Sequence, residues 1–461
     1  MSITPIGIVY FFVLILLIRK NKFIPLVLLC LSAELFVEIG YVISFGSLQI
    51  NYGKISEIVL GIYSIFIIYN NKQIKEQFFP FIMSLFIPII LLLIFPSEQL
   101  AATINVSWDM VLNGYRLEHP VVNSFVLQQT LQFLIELLIC SAIYKTFQLK
   151  DYEHLISIFS KIINCFLVIG FVEFLAKNLF GCNESWGNVI EMFFGKSTST
   201  IYDARVRGGN YELTLFTKEA SHYAYCLTIM LLVKIAHNIN ARKKYLFDKW
   251  ILLNIVLLLF SMSFSSVLFG LFLFLVLLLY RWYVIVPNSI KVEKTIFTIV
   301  IIFLLGSLSS IISGLSDSGF FSRRILSAIQ EVNVITTNEW ETSTESLEWS
   351  NRVRMLSVFK TVMLFLDRPI FGYGLGSVCS HGATSMLLSG IGIVGTYLWS
   401  KIYFFSNTYK RVFGISNRIY LLSFIMFMSI NMLNSLGLRP FYELSAIVAA
   451  ISLNFIFKRQ K

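Results

Sequence analysis

Charge is scarce in this chain. Of 461 residues, 14% are charged against 56% hydrophobic, where a soluble domain would carry roughly a quarter charged residues. That shortage excludes an ordinary soluble fold of this length. The ten-residue alternation of an outer-membrane barrel is missing too. Residues 1–18 lack a basic leader and a small-residue cleavage site, so they are read as a retained first span. The sequence shows no metal-ligand spacing, no paired-aspartate motif and no internal repeat. Six cysteines are present. Cys30, Cys140, Cys165 and Cys226 fall in apolar runs, and Cys182 and Cys379 fall in loops where a disulfide is open to them.

What is present is a series of apolar runs, each long enough to cross a bilayer. Backbone groups in lipid must be satisfied within the segment, which makes such spans helical. The expected fold is therefore all-α, a single polytopic membrane domain over 1–461 with about 13 spans. Drawn from the sequence, they cover 4–18, 23–45, 55–69, 78–95, 123–144, 155–177, 219–236, 249–262, 265–281, 295–315, 384–405, 417–436 and 440–457.

The loops test that drawing. Arg19, Lys20 and Lys22 follow the first span, Lys72 and Lys75 the third, and Lys145 and Lys150 the fifth. Arg242, Lys243 and Lys244 follow the seventh, Lys291 and Lys294 the ninth, and Lys410 and Arg411 the eleventh; Lys458 and Arg459 close the chain. Every second connection is short and basic, and the positive-inside rule assigns these to the cytoplasm. The N-terminus then lies outside and the C-terminus inside. The net charge of +11 is explained by this bias, with no call on nucleic acid as a partner.

Three opposite-side connections are long: 96–122, 178–218 and 316–383. Loops of that length are usually functional or disordered, and these carry Trp, Tyr, Phe, Arg and Glu. The 178–218 loop holds Arg205 and Arg207, with Glu219 and His222 at the following span. The 316–383 loop holds Arg352 and Arg354, the cluster Gly372, Gly374 and Gly376, and His381. Guanidinium forks match phosphate oxygens, so the two Arg-X-Arg pairs suit a lipid diphosphate; pairing with lipid headgroups or with Glu339, Glu341, Glu345 and Glu348 is the alternative. The glycines follow no βαβ pattern, which excludes a dinucleotide fingerprint; they allow tight turns or backbone approach to an anion. His119 lies in the first long loop, and His154 and His237 on the cytoplasmic side. Within spans, Glu34 and Glu38 share a helix face, as do Gln129, Gln132 and Glu136.

The run Asp367-Arg368-Pro369-Ile370-Phe371-Gly372-Tyr373-Gly374-Leu375-Gly376-Ser377, then His381 and a glycine-bearing span to Gly395, resembles the O-antigen polymerase and O-antigen ligase superfamily. So does Arg207-Gly208 followed by Phe216, Glu219, Ser221 and His222, and so does the serine-rich turn at residues 261–266. The matching motifs cover roughly residues 200–400; the N-terminal half matches only in being multi-span. Gly382 stands where Asn or Ser often follows the histidine.

The resemblance implies a GT-C-like, metal-independent glycosyltransferase without cofactor, using undecaprenyl-diphosphate-linked oligosaccharide as donor and acceptor on the periplasmic side of the inner membrane. It implies Arg205, Arg207, Arg352 and Arg354 on the diphosphates and His381, Glu219 or His222 as the base. A polymerase, the preferred reading, joins repeat units and works beside a chain-length regulator and a flippase. A ligase moves glycan onto lipid A core. A flippase or transporter is the rival from another class.

Overall fold

The computed structural model describes residues 2–98 (with gaps at 21, 37–39, 46–47 and 69–71), 101–102 and 117–261. Within the last range 196–205, 208–209, 212, 216, 218–219 and 243–247 are left out; residues 346–404 (without 379 and 381), 412–414 and 443–458 complete the set. The expected spans at 265–281, 295–315 and 417–436 therefore lie outside the described residues, as do Arg205, Glu219, His381, Cys379, Glu38 and Glu339–Glu345 by position.

The described chain is mostly helical. In order the helices are α1 (Pro5–Arg19), α2 (Phe23–Phe36), α3 (Tyr52–Ile68), α4 (Lys72–Ile94), α5 (Ser124–Thr146) and α6 (Leu149–Phe174). A π-turn, Leu175–Leu179, prolongs α6, and α7 (Asn183–Phe194), α8 (Ala220–Asn240), α9 (Lys249–Phe260), α10 (Ser346–Asp367), α11 (Ala383–Tyr403) and α12 (Glu443–Phe457) follow. Two helical segments, Val126–Thr146 and Leu149–Leu179, are long and apolar enough to cross a membrane, and five shorter ones are apolar.

Local chemistry sets several starts. Thr4 caps α1 by accepting from the Gly7 N–H at 3.0 Å, with Pro5 in the first turn where its missing N–H costs nothing. Asp151 closes a capping box onto the Gln148 N–H at 2.8 Å. The Asp248 carboxylate accepts from Trp250 and Ile251 N–H groups at the start of α9.

The centre is α8. From Tyr223 to Ala236 its side chains are buried on every side, the signature of a helix enclosed by others, and α12, α6 and α9 pack around it. α5 lies along α3, and α2 packs on α3. On the outside sit large exposed apolar side chains such as Ile8 and Phe12 on α1, Leu93 on α4 and Leu131 on α5, far more apolar surface than water-facing proteins ordinarily leave open.

One expectation needs correction. The span at 23–45 stops as a helix at Phe36, and Ile43–Phe45 is a strand, β2, between β1 (Ser2–Ile3) and β3 (Leu48–Ile50). An apolar run alone does not separate helix from strand, and here the β-branched Val42-Ile43 pair meets the extended N-terminus. Small antiparallel pairs also sit in the long loops: β4 (Ala101–Ala102) with β5 (Leu117–Glu118), and β6 (Val206–Arg207) with β7 (Asn210–Tyr211). The long connections also contain helices: α7 lies within 178–218 and α10 within 316–383.

Candidate functional site

The first half of the site hangs from the end of α6. Glu173 is fully buried and pairs with Lys177 at 2.7 Å. Its Oε1 also accepts from the Thr214 N–H at 3.2 Å, and its Oε2 from the Leu215 N–H at 2.8 Å. One carboxylate thus satisfies both the buried ammonium and the returning chain, as a buried charge must. Leu215 sits at φ +47°, an uncommon conformation for a branched side chain that fixed surroundings maintain. One residue beyond Lys177, the Asn178 amide brackets Tyr211: its Oδ1 accepts from the Tyr211 N–H at 2.7 Å and its Nδ2 donates to the Tyr211 carbonyl at 3.2 Å. Tyr211 pairs with Val206 in the β6–β7 hairpin. Glu173, Lys177 and Asn178 therefore hold the backbone that carries Arg207 and the turn that leads into α8.

At the start of α8, His222 is buried at 8% exposure, beside the buried Tyr223. Its position two residues past Ala220, in the first turn, places it inside the bundle wall rather than on the loop.

The second half is the run 367–382. Asp367 ends α10 and accepts a short hydrogen bond from the Tyr373 hydroxyl; Ser97 donates to the same hydroxyl at 3.2 Å. Arg368 lies over the Tyr373 ring, 4.5 Å from its centroid. It donates to the Pro96 carbonyl at 3.3 Å and, more closely, to the Phe95 carbonyl. These contacts stitch the glycine motif to the end of α4 and the first long loop. Burial, then the hydrogen bond to Asp367, pushes the Tyr373 phenol above its ordinary value, so it remains a proton donor throughout the neutral range.

Gly372, Gly374 and Gly376 all have positive φ, at 73°, 95° and 82°, and the first shows why side chains are excluded: a Cβ on Gly372 would come within 2.5 Å of the Ser389 carbonyl oxygen. Gly372 thus packs closely on α11, while a Cβ on Gly374 would meet Ile89 of α4 at 3.2 Å and Val126 of α5 at 3.6 Å. Helix α11 is broken at Gly392, where φ is 64° and ψ −171°. The backbone groups freed by the break are taken by the motif. Tyr373 and Gly374 N–H groups donate to the carbonyls of Ser389 and Gly390 at 2.8 and 2.7 Å, while Ile393 and Val394 N–H groups donate to Pro369 and Ile370 at 2.8 and 3.2 Å.

Buried hydroxyls cluster at the start of α11. Thr361 on α10 donates to Ser380 at 3.0 Å, Ser380 meets Ser385 at 2.8 Å, and the Gly382 N–H donates to Ser380 at 3.1 Å. Arg352 and Arg354 lie within α10, the helix whose later residues Thr361, Asp367 and Arg368 anchor this cluster.

The structure thus packs the glycine motif against α11 and the end of α10, places Arg352 and Arg354 earlier on α10, and holds the hairpin that carries Arg207 to the π-turn at the end of α6. Glu173, Lys177, Asn178, Arg368 and Tyr373 are additional positioning residues. Among the described residues no group of three or more metal-ligating side chains comes together. Cys182 is an exposed free thiol, and His119 is an exposed loop residue. Comparisons with protein-family models, curated proteins and solved structures return no match.

Proposed function

We propose that the chain is a polytopic inner-membrane glycosyltransferase of about 13 spans, an O-antigen polymerase joining undecaprenyl-diphosphate-linked repeat units on the periplasmic face. The observation that carries the reading is the Asp367–Gly376 motif, docked on the break of α11 and followed by the Thr361–Ser380–Ser385 hydroxyl cluster. The superfamily resemblance rests on the same stretch. In this reaction an acceptor hydroxyl oxygen attacks the anomeric carbon from the face opposite the diphosphate, the carbon–oxygen bond to diphosphate breaks, and the configuration inverts. The hydroxyl proton passes to a base, His381 or Glu219, with His222 set back in the bundle wall. Diphosphate is a good leaving group that needs charge stabilisation more than protonation, which Arg205, Arg207, Arg352 and Arg354 supply.

Two rivals are tested by one experiment. The ligase shares the motif and the chemistry. The transporter reading gains one observation, because a discontinuous helix is a feature of transporter sites. Here, however, the groups exposed by the break are bonded to Pro369, Ile370, Tyr373 and Gly374, which supports a docked loop over an ion site. A lipopolysaccharide gel from a strain lacking the protein separates the three. One repeat unit on the core with the ladder gone is the polymerase result. Bare core with polymer on the lipid carrier is the ligase result, and bare core without periplasmic polymer is the flippase result. An unchanged ladder removes O-antigen assembly altogether.

A further inference from the structure

The helix α7 divides its surface three ways. At about 100° per residue, Trp186, Ile190 and Phe194 fall in one sector, Val189, Met192 and Phe193 in the next, and Glu184, Asn188 and Glu191 in the third. The first sector faces the protein. Ile190 is 3% exposed, the Phe194 carbonyl accepts from the Tyr41 N–H at 3.1 Å, and the Phe194 ring packs edge-on to Tyr52 with centroids 6.1 Å apart. Gly195 then passes so close to Thr4 and Tyr41 that a Cβ would meet each at 2.8 Å. With that sector fixed, the second is left open: Val189 is 47%, Met192 69% and Phe193 42% exposed. The third carries its carboxylates and amide away from both.

Water explains the third sector and protein the first. Nothing in water favours the second. Its surroundings show what covers it. α7 packs on α1, near the Thr4 end, and α1 turns Ile8, Val9 and Phe12 outward at 60–64% exposure. At the other end α7 packs on the π-turn, where Leu179 and Phe180 are 66% and 68% exposed. The open sector of α7 continues an apolar belt that runs down a helix read as a membrane span.

We propose that α7 is an interfacial helix, seated in the headgroup–acyl boundary of the outer leaflet with Val189, Met192 and Phe193 among the acyl chains and Glu184 and Asn188 in water. The inference rests on the membrane reading given above. It makes the bilayer surface a partner of the 178–218 loop, and it fixes the level at which the neighbouring β6–β7 hairpin presents Arg207.

The test uses the full chain in phosphatidylcholine nanodiscs, with Cys165, Cys182 and Cys379 replaced by serine. Single cysteines at Met192, Phe193, Glu184 and Asn188, and at Phe12 and Leu131 as references, carry an environment-sensitive fluorophore. The quenchers are a doxyl-labelled lipid and an aqueous nickel chelate. The expected result is strong lipid quenching at 192, 193, 12 and 131, and at least a several-fold preference for nickel at 184 and 188. Aqueous quenching at 192 and 193, with 12 and 131 quenched by lipid, overturns the proposal and leaves the membrane reading standing. So does protection of 192 and 193 from both quenchers, which means a protein partner covers the face. Lipid quenching at 192 and 193 that disappears when undecaprenyl diphosphate is added also overturns it, assigning the face to the substrate tail. Aqueous quenching at 12 and 131 overturns the membrane reading itself.

Discussion

Replacing Gly392 with alanine should dismantle the join between the glycine motif and α11. The residue occupies φ 64°, ψ −171°, a region that is essentially glycine-only and costs other residues about 1–3 kcal/mol. Steric conflict adds to this, since the new Cβ would lie 2.3 Å from the Ile370 carbonyl oxygen and 2.6 Å from the Phe371 nitrogen, both backbone atoms. Relief requires the 369–374 segment to move off the helix. That breaks the hydrogen bonds of Ile393, Val394, Tyr373 and Gly374, each worth about 1 kcal/mol net and more where a buried group is left unpaired. Together the loss is about 5–7 kcal/mol, beyond what most single substitutions do. The assay is thermal unfolding of purified protein in detergent, followed by reactivity of buried cysteines, beside the lipopolysaccharide ladder in cells. Gly187→Ala in α7 is the matched control, because no atom lies within 4 Å of its Cβ position and the change should stabilise a helix interior by about 0.5–1 kcal/mol. Equal melting of the two variants would refute the reasoning.

Glu173→Ala strands the Lys177 ammonium, 8% exposed, and should cost about 3–5 kcal/mol; adding Lys177→Met should recover part of it in the same melting assay. Asn178→Ala removes both partners of Tyr211, so limited proteolysis should cut within 196–212 sooner and the ladder should weaken while the midpoint drops by no more than about 2 kcal/mol. Under the proposed function, Arg207→Ala or Arg352→Ala should abolish polymer and lysine should rescue only in part, since it loses the fork; full polymer in the alanine variants would remove both from the site. Tyr373→Phe deletes the bonds to Asp367 and Ser97 and should lower stability by about 1–2 kcal/mol, read by thermal midpoint.

The strong signals in the sequence were those of length and polarity. α1, α5, α8, α9 and α12 follow apolar runs closely, because an uninterrupted run admits few other structures. The break in α11 is less legible. Gly390, Gly392 and Gly395 read alike in the sequence, and only the approach of Ile370 singles out Gly392. The amphipathic spacing of Val189, Met192 and Phe193 was a readable sign of α7 inside its loop. Glu173, Lys177 and Asn178 were not legible as a group: their partners Thr214, Leu215 and Tyr211 lie more than thirty residues on, a distance over which no periodicity reports. The Gln129, Gln132 and Glu136 stripe, by contrast, is buried as one face, at 4%, 7% and 0% exposure.

The π-turn after α6 sets a register. A π-turn holds one residue more than the α-helical turn it replaces, and here it closes with the Phe180 N–H on the Leu175 carbonyl at 3.0 Å. Were the turn ordinary α with all of its residues kept, the extra residue would be passed along the helix and Asn178 would be carried around the axis, away from Tyr211. The hairpin would lose its mooring although every residue that touches it was kept. The placement of Arg207 thus depends on the extra residue being absorbed within this one turn rather than passed along the helix.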